Sequence, residues 1–67
     1  VPAGKEVASH RTRGEVTIQC LEGEVGIVVN GITEVLSTGR LLYLCKNELH
    51  AVRGIQDASL LVTILLA

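Results

Sequence analysis

The sequence predicts an all-β fold, a sandwich or small barrel of about seven short strands. Three observations carry this. The apolar mass is Val, Ile and Leu, with no Phe or Trp and Tyr43 as the single aromatic; such residues favour strands when they alternate with polar ones. Glycines at Gly4, Gly14, Gly23, Gly26, Gly31, Gly39 and Gly54 divide the 67 residues into strand-sized segments. The segments recur about every eight to ten residues, which leaves almost nothing over for a helix.

Each segment has its own reason. "KEVASH" (5–10) reads as a short first strand. "EVTIQCLE" (15–22) alternates, with Val16, Ile18 and Cys20 on one side and Glu15, Thr17 and Gln19 on the other, as a half-buried strand does. The Glu22-Gly23 turn leads to "EVGIVVN" (24–30). Asn30-Gly31 is the strongest short hairpin signal, because both residues tolerate the positive φ of a type I′ turn. "ITEVLS" (32–37) is the return strand, and "RLLYLC" (40–45) and "LHAVR" (49–53) follow. "SLLVTILL" (59–66) is an apolar run that a helix could also use; the consecutive β-branched Val62, Thr63 and Ile64 favour a strand. Gln56 and Asp57 read as turn residues before it.

Length allows one domain, spanning residues 1–67. A chain this small buries only about 60 % of its unfolded surface, yet 48 % of its residues are hydrophobic. Such an aliphatic excess predicts that a partner chain covers part of it. Lys and Arg number 6 against 7 Asp and Glu, so there is no basic footprint for nucleic acid, and one aromatic makes no base-stacking platform. Cys20 and Cys45 are too few for the disulfide framework of a secreted mini-protein, which places the chain in the cytoplasm with reduced thiols. There is no signal peptide, and the C-terminal "LLVTILLA" falls far short of the roughly 20 residues of a membrane span. The chain has no Met and opens at Val1, so it reads as trimmed at its N-terminus.

Two spacings carry the chemistry. From Gly4 there are five residues to His10, one to Thr12, three to Val16 and six to Gly23. This resembles the first motif of the cupin superfamily, G-x5-H-x-H-x3-4-E-x6-G, with Thr12 in place of the second histidine and Val16 in place of the glutamate. From Gly39 there are five residues to Cys45, then Lys46, Asn47, two residues and His50. This resembles the second motif, G-x5-P-x-G-x2-H-x3-N, with Cys45 for the proline, Asn47 for the glycine and Gly54 for the asparagine. The resemblance runs from Gly4 to about Leu66. It implies a double-stranded β-helix, a jelly-roll of two antiparallel sheets rolled into a small open barrel, and it implies a homodimer.

The resemblance also implies a site on the barrel interior, where the family holds a metal with three histidines and a glutamate. Here the expected pocket residues are His10, Thr12, Val16, Tyr43 and His50. Only His10 and His50 are ligands of the family type, for zinc, manganese, iron or nickel. Parity turns Glu15 to the face opposite Val16. Cys20 lies four residues along from Val16, about 13 Å at strand rise. Two imidazoles fall short of the three protein ligands of a catalytic zinc and lack the carboxylate of a facial triad. The alternative is a pair of neutral, hydrogen-bonding imidazoles lining a pocket. Arg11, Arg13 and Arg53 either form a basic rim for an anion or shield strand edges. Three functions follow. The first is a barrel binding a small molecule in its interior. The second is a metal-dependent dioxygenase, isomerase or decarboxylase with a two-histidine site. The third is a non-catalytic dimerising module.

Overall fold

The computed structural model describes residues 1–66. They form seven strands: β1 Glu6–His10, β2 Glu15–Glu22, β3 Glu24–Val29, β4 Ile32–Ser37, β5 Leu41–Leu44, β6 His50–Gly54 and β7 Ser59–Leu65. The expected spans hold to within a residue or two at each end. The apolar run at 59–66 is a strand, as its β-branched residues require.

The strands form two antiparallel sheets, in the orders β1-β6-β3-β4 and β5-β2-β7. The pairing nests. β3 and β4 make a tight hairpin, β2 and β5 pair outside it in the other sheet, and β1 and β6 pair outside both, back in the first sheet. This is one long hairpin rolled on itself, the jelly-roll. β7 pairs with β2. At the hairpin tip Asn30 and Gly31 have φ of 51° and 77°, the two left-handed residues of a type I′ turn.

The core lies between the sheets. Its central row is Val16, Ile18 and Cys20 of β2, facing Val25 and Ile27 of β3. Leu36, Leu44 and Val52 complete it, and Val1, Val29, Leu42, Ala58 and Leu60 pack against its margin. Each side chain is small or aliphatic, so the two layers approach closely without an aromatic spacer. The outer face of β2 carries Glu15, Thr17 and Gln19. There Tyr43 of β5 lies opposite Thr17, and its hydroxyl donates to Glu15 Oε2 at 2.8 Å. That bond to a carboxylate pushes the phenol up to about 12.

β2 leaves its sheet through Gly23, at φ 84°. A Cβ there would run into the backbone of Asp57 and Ala58, because the chain crosses from one sheet to the other directly under the turn that precedes β7. Among the described residues no helix is long and apolar enough to cross a membrane.

Two outcomes are expected. Gly39, at φ 88° with open space around it, isolates the cost of a left-handed backbone. Gly39→Ala should therefore lose about 1–2 kcal/mol, lowering the thermal midpoint by roughly 4–8 °C per kcal/mol in so small a domain. Gly23→Ala adds a collision with backbone and should lower it clearly further; equal shifts in circular-dichroism melts would refute the close approach. The Tyr43 phenol, titrated by ultraviolet absorbance, should ionise near 12 and return toward the ordinary 10 in Glu15→Gln. Because the folded pKa is the higher one, the bond stabilises fully below about pH 10 and is lost as pH rises toward 12.

Candidate functional site

The geometry of the site begins with an irregularity in β1. Val7 pairs with Val52 and His10 with His50, so three steps along β1 oppose two along β6. One extra residue is inserted between Val7 and His10. In a regular strand these two residues would point to opposite faces. The bulge resets the alternation and sends both side chains inward, where both line the same cavity. His10 thereby lands opposite His50.

His50 arrives by plain alternation. It lies two residues from the core residue Val52 on the inner face of β6 and is 4 % exposed. His10 sits at the end of an edge strand and is exposed. The ring centroids are 4.3 Å apart with planes at 61°, an edge-to-face contact. Each ring is tethered in the same way. His10 Nδ1 lies 3.2 Å from the carbonyl oxygen of Ala8, and His50 Nδ1 lies 3.0 Å from that of Glu48. A carbonyl oxygen only accepts, so Nδ1 carries the proton in both bonds, and each neutral ring keeps its Nε2 lone pair.

The cavity beside these rings holds about 530 Å³, within the range of small-molecule pockets. Its apolar wall comes from Val7, Ile18, Val52, Leu60 and Val62. It lies between the β1 and β6 side of one sheet and the β2 and β7 side of the other. The two imidazoles are the only titratable side chains among its lining residues.

The other expected pocket residues fall elsewhere. Tyr43 does not line the cavity: β5 turns it to the outer face, where Glu15 takes its hydroxyl. Val16 faces inward but is packed into the core, 2 % exposed, and does not reach the cavity wall. Thr12 is in the loop after β1, half-buried and off the cavity wall, and its carbonyl accepts from the Asn47 amide at 2.9 Å. Glu15 is on the outer face, as parity requires. Arg11 is exposed and donates from Nη1 to the carbonyl of Asn47 at 2.9 Å, bracing the two loops against each other. Asn47 itself has φ of 61°, the left-handed conformation that suits the family's glycine at this motif position.

Sequence reasoning missed most of the wall. Val52 and Ile18 were reachable, since parity from His50 and from Val16 puts both inside. Val7 was not, because nothing in "KEVASH" marks the inserted residue. Leu60 and Val62 required knowing that β7 pairs with β2.

No family model matches the chain, and no curated protein does. Solved structures do. A cupin superfamily protein from Desulfitobacterium hafniense DCB-2 superposes with a TM-score of 0.90 at 21 % identity, over 97 % of this chain and 61 % of that one. A predicted oxalate decarboxylase from Thermotoga maritima gives 0.87 at 27 % identity, over 100 % and 61 %. A salicylate 1,2-dioxygenase from Pseudaminobacter salicylatoxidans gives 0.88 at 24 %, over 92 % of this chain but 18 % of that enzyme. The chain thus spans about three fifths of the length of the first two. Two antiparallel sheets of nested strands, motif glycines at left-handed turns and these superpositions make the chain a small all-β domain with the cupin fold.

Proposed function

We propose that the domain binds a small molecule carrying a carboxylic acid or hydroxyl group on an apolar body, held in the interior cavity by His10 and His50. One observation supports this above others. Two imidazoles, each tethered through Nδ1, meet on the wall of a cavity whose other lining side chains are aliphatic apart from Ser59. Their free Nε2 atoms accept a hydrogen bond from a hydroxyl. With a carboxylic acid the proton can sit on either partner, and the imidazolium then donates to the carboxylate in a charge-assisted bond. The aliphatic wall takes the rest of the ligand. The names of two structural neighbours point the same way, since salicylate and oxalate are both small carboxylates.

The donor set does not fit a catalytic metal centre. Among the described residues no group of three or more His, Cys, Asp or Glu converges. Val16 supplies no donor where the family's glutamate would stand, and Thr12 is in the loop after β1, off the cavity wall. A divalent zinc, manganese, iron or nickel ion would find two nitrogen donors at most, one short of the usual minimum for a catalytic zinc. A metal-dependent enzyme with a two-imidazole site is the second reading, favoured by the free Nε2 atoms. Cys20 and Cys45 are both free thiols, which supports a cytoplasmic setting.

Benzoate added to the ¹⁵N-labelled protein should shift the amides of His10, His50, Val52 and Val62. His50→Ala should weaken that binding about tenfold or more, the worth of one charge-assisted hydrogen bond. Protein purified without chelator should carry well under one metal ion per chain. Unmoved amides together with stoichiometric metal that is lost in the His10→Ala, His50→Ala double variant would hand the case to the enzyme reading.

The bulge can be tested separately. Deleting Ser9 removes one residue from the irregular segment and should turn His10 outward. The folded deletion variant should bind benzoate no better than His10→Ala does. Binding at the wild-type level would show that the bulge does not aim the ring.

A further inference from the structure

The chain holds two asparagines, Asn30 and Asn47, and the fold gives both the same left-handed backbone. Asn30, at the tip of the β3–β4 hairpin, has φ of 51°, and Asn47, in the loop before β6, has φ of 61°. Both are exposed. The backbone nitrogen that follows an asparagine is the nucleophile nearest its carboxamide. The two positions differ in that nitrogen.

At Asn47 it is engaged. The Glu48 N–H donates to the carbonyl of Cys45 at 3.4 Å. The backbone of Asn47 is held on both sides as well. Its N–H donates to the Thr12 carbonyl at 2.9 Å, and its own carbonyl accepts from Arg11 Nη1 at 2.9 Å. The Cβ of Glu48 narrows the backbone angles open to the attacking nitrogen, and its carboxylate is turned back to accept from the Cys45 N–H at 2.7 Å. Asn30 has none of these restraints among the described residues. The Gly31 nitrogen donates to no backbone carbonyl there. Gly31 has φ of 77°, and nothing lies within 4 Å of the point where a Cβ would stand. Ring closure swings the Asn30–Gly31 peptide out of its turn geometry, and the glycine with open space around it accommodates that swing.

We infer that Asn30 is a self-modification site, where the Gly31 nitrogen attacks the Asn30 side chain and converts it to isoaspartate. The Gly31 amide gives its proton to solvent base and its nitrogen bonds to Cγ of Asn30. The Cγ–Nδ2 bond breaks, and Nδ2 leaves with that proton equivalent as ammonia. Water then opens the cyclic imide. Attack at the backbone carbonyl leaves the chain running through Cγ, as isoaspartate; attack at Cγ leaves aspartate. Nothing is oxidised or reduced, and water is the only co-reactant. Either product adds one negative charge to a chain of formal net charge -1. Isoaspartate also lengthens a two-residue loop by one methylene, and loop length sets the register of a hairpin. The change falls on Val29, which pairs with Ile32 across the hairpin and with His50 on its other side.

Peptide mapping by mass spectrometry, on wild-type protein aged at mildly alkaline pH, reads the two asparagines side by side. The Asn30 peptide should gain the mass difference between an amide and an acid about tenfold faster than the Asn47 peptide, or more. Its product should be a substrate for an isoaspartyl methyltransferase. Gly31→Ala should slow the conversion by a similar factor; should that variant fail to fold, the wild-type ratio decides. In the converted protein the Val29 and Ile32 amides should shift. Conversion of Asn47 as fast as Asn30 would overturn the inference. So would an Asn30 that stays intact while the urea-unfolded chain converts, a product that is aspartate alone, undiminished conversion in folded Gly31→Ala, or unmoved Val29 and Ile32 amides in a converted sample.

Discussion

The inward row of β2 is the constraint on which the rest of the fold depends. Val16, Ile18 and Cys20 are each at most 2 % exposed, and β2 is the centre of its sheet, pairing β5 on one side and β7 on the other. A slip of one residue would turn that row to solvent and bring Glu15, Thr17 and Gln19 into the core. Burying those polar groups unpaired would cost several kcal/mol. The register of three strands is therefore fixed by three small apolar side chains, and the position of Ile18 on the cavity wall follows from the same row.

The site is built on a departure from that regularity. Plain alternation delivers His50 to the interior beside Val52, but it would turn His10 away. The extra residue in β1 reverses the outcome, and the carbonyl of Ala8, within the irregular segment, tethers the ring it re-aims. The matching tether from Glu48 to His50 leaves both rings in the same tautomer. A strand edge thus provides what a regular strand could not: two imidazoles from distant parts of the chain in direct contact, one buried and one open to solvent.

The strands were legible because their signals are local. Alternation marked β2, Asn30-Gly31 marked the β3–β4 hairpin, and three β-branched residues in a row decided β7. The motif spacing also singled out His10 and His50, which β1 and β6 set opposite one another. Tyr43 was not legible. "RLLYLC" is apolar at consecutive positions, so no alternation said which face each residue takes, and only the pairing with Thr17 settles it. The cavity wall was not legible for a related reason. It joins β1, β6, β2 and β7, whose proximity comes from nesting that spans the whole chain. A bulge of one residue likewise has no fixed composition when its members are Ala8 and Ser9, neither of which demands a special backbone.

What the chain keeps and what it lacks are consistent with one another. It retains the backbone devices of the cupin fold: left-handed residues at Gly4, Gly23, Gly39 and Asn47, and the turns that bring the two motif strands side by side. Val16 stands where the cupin motif that the sequence resembles has a glutamate, and the difference is structural as well as chemical. A carboxylate at Val16 would sit in the aliphatic row at 2 % exposure, where an unpaired charge is costly and a metal would have to offset it. With valine there, the row packs as an aliphatic layer. The Nδ1 protons of the two imidazoles have carbonyl partners. The cavity thus presents two nitrogen lone pairs to whatever enters it.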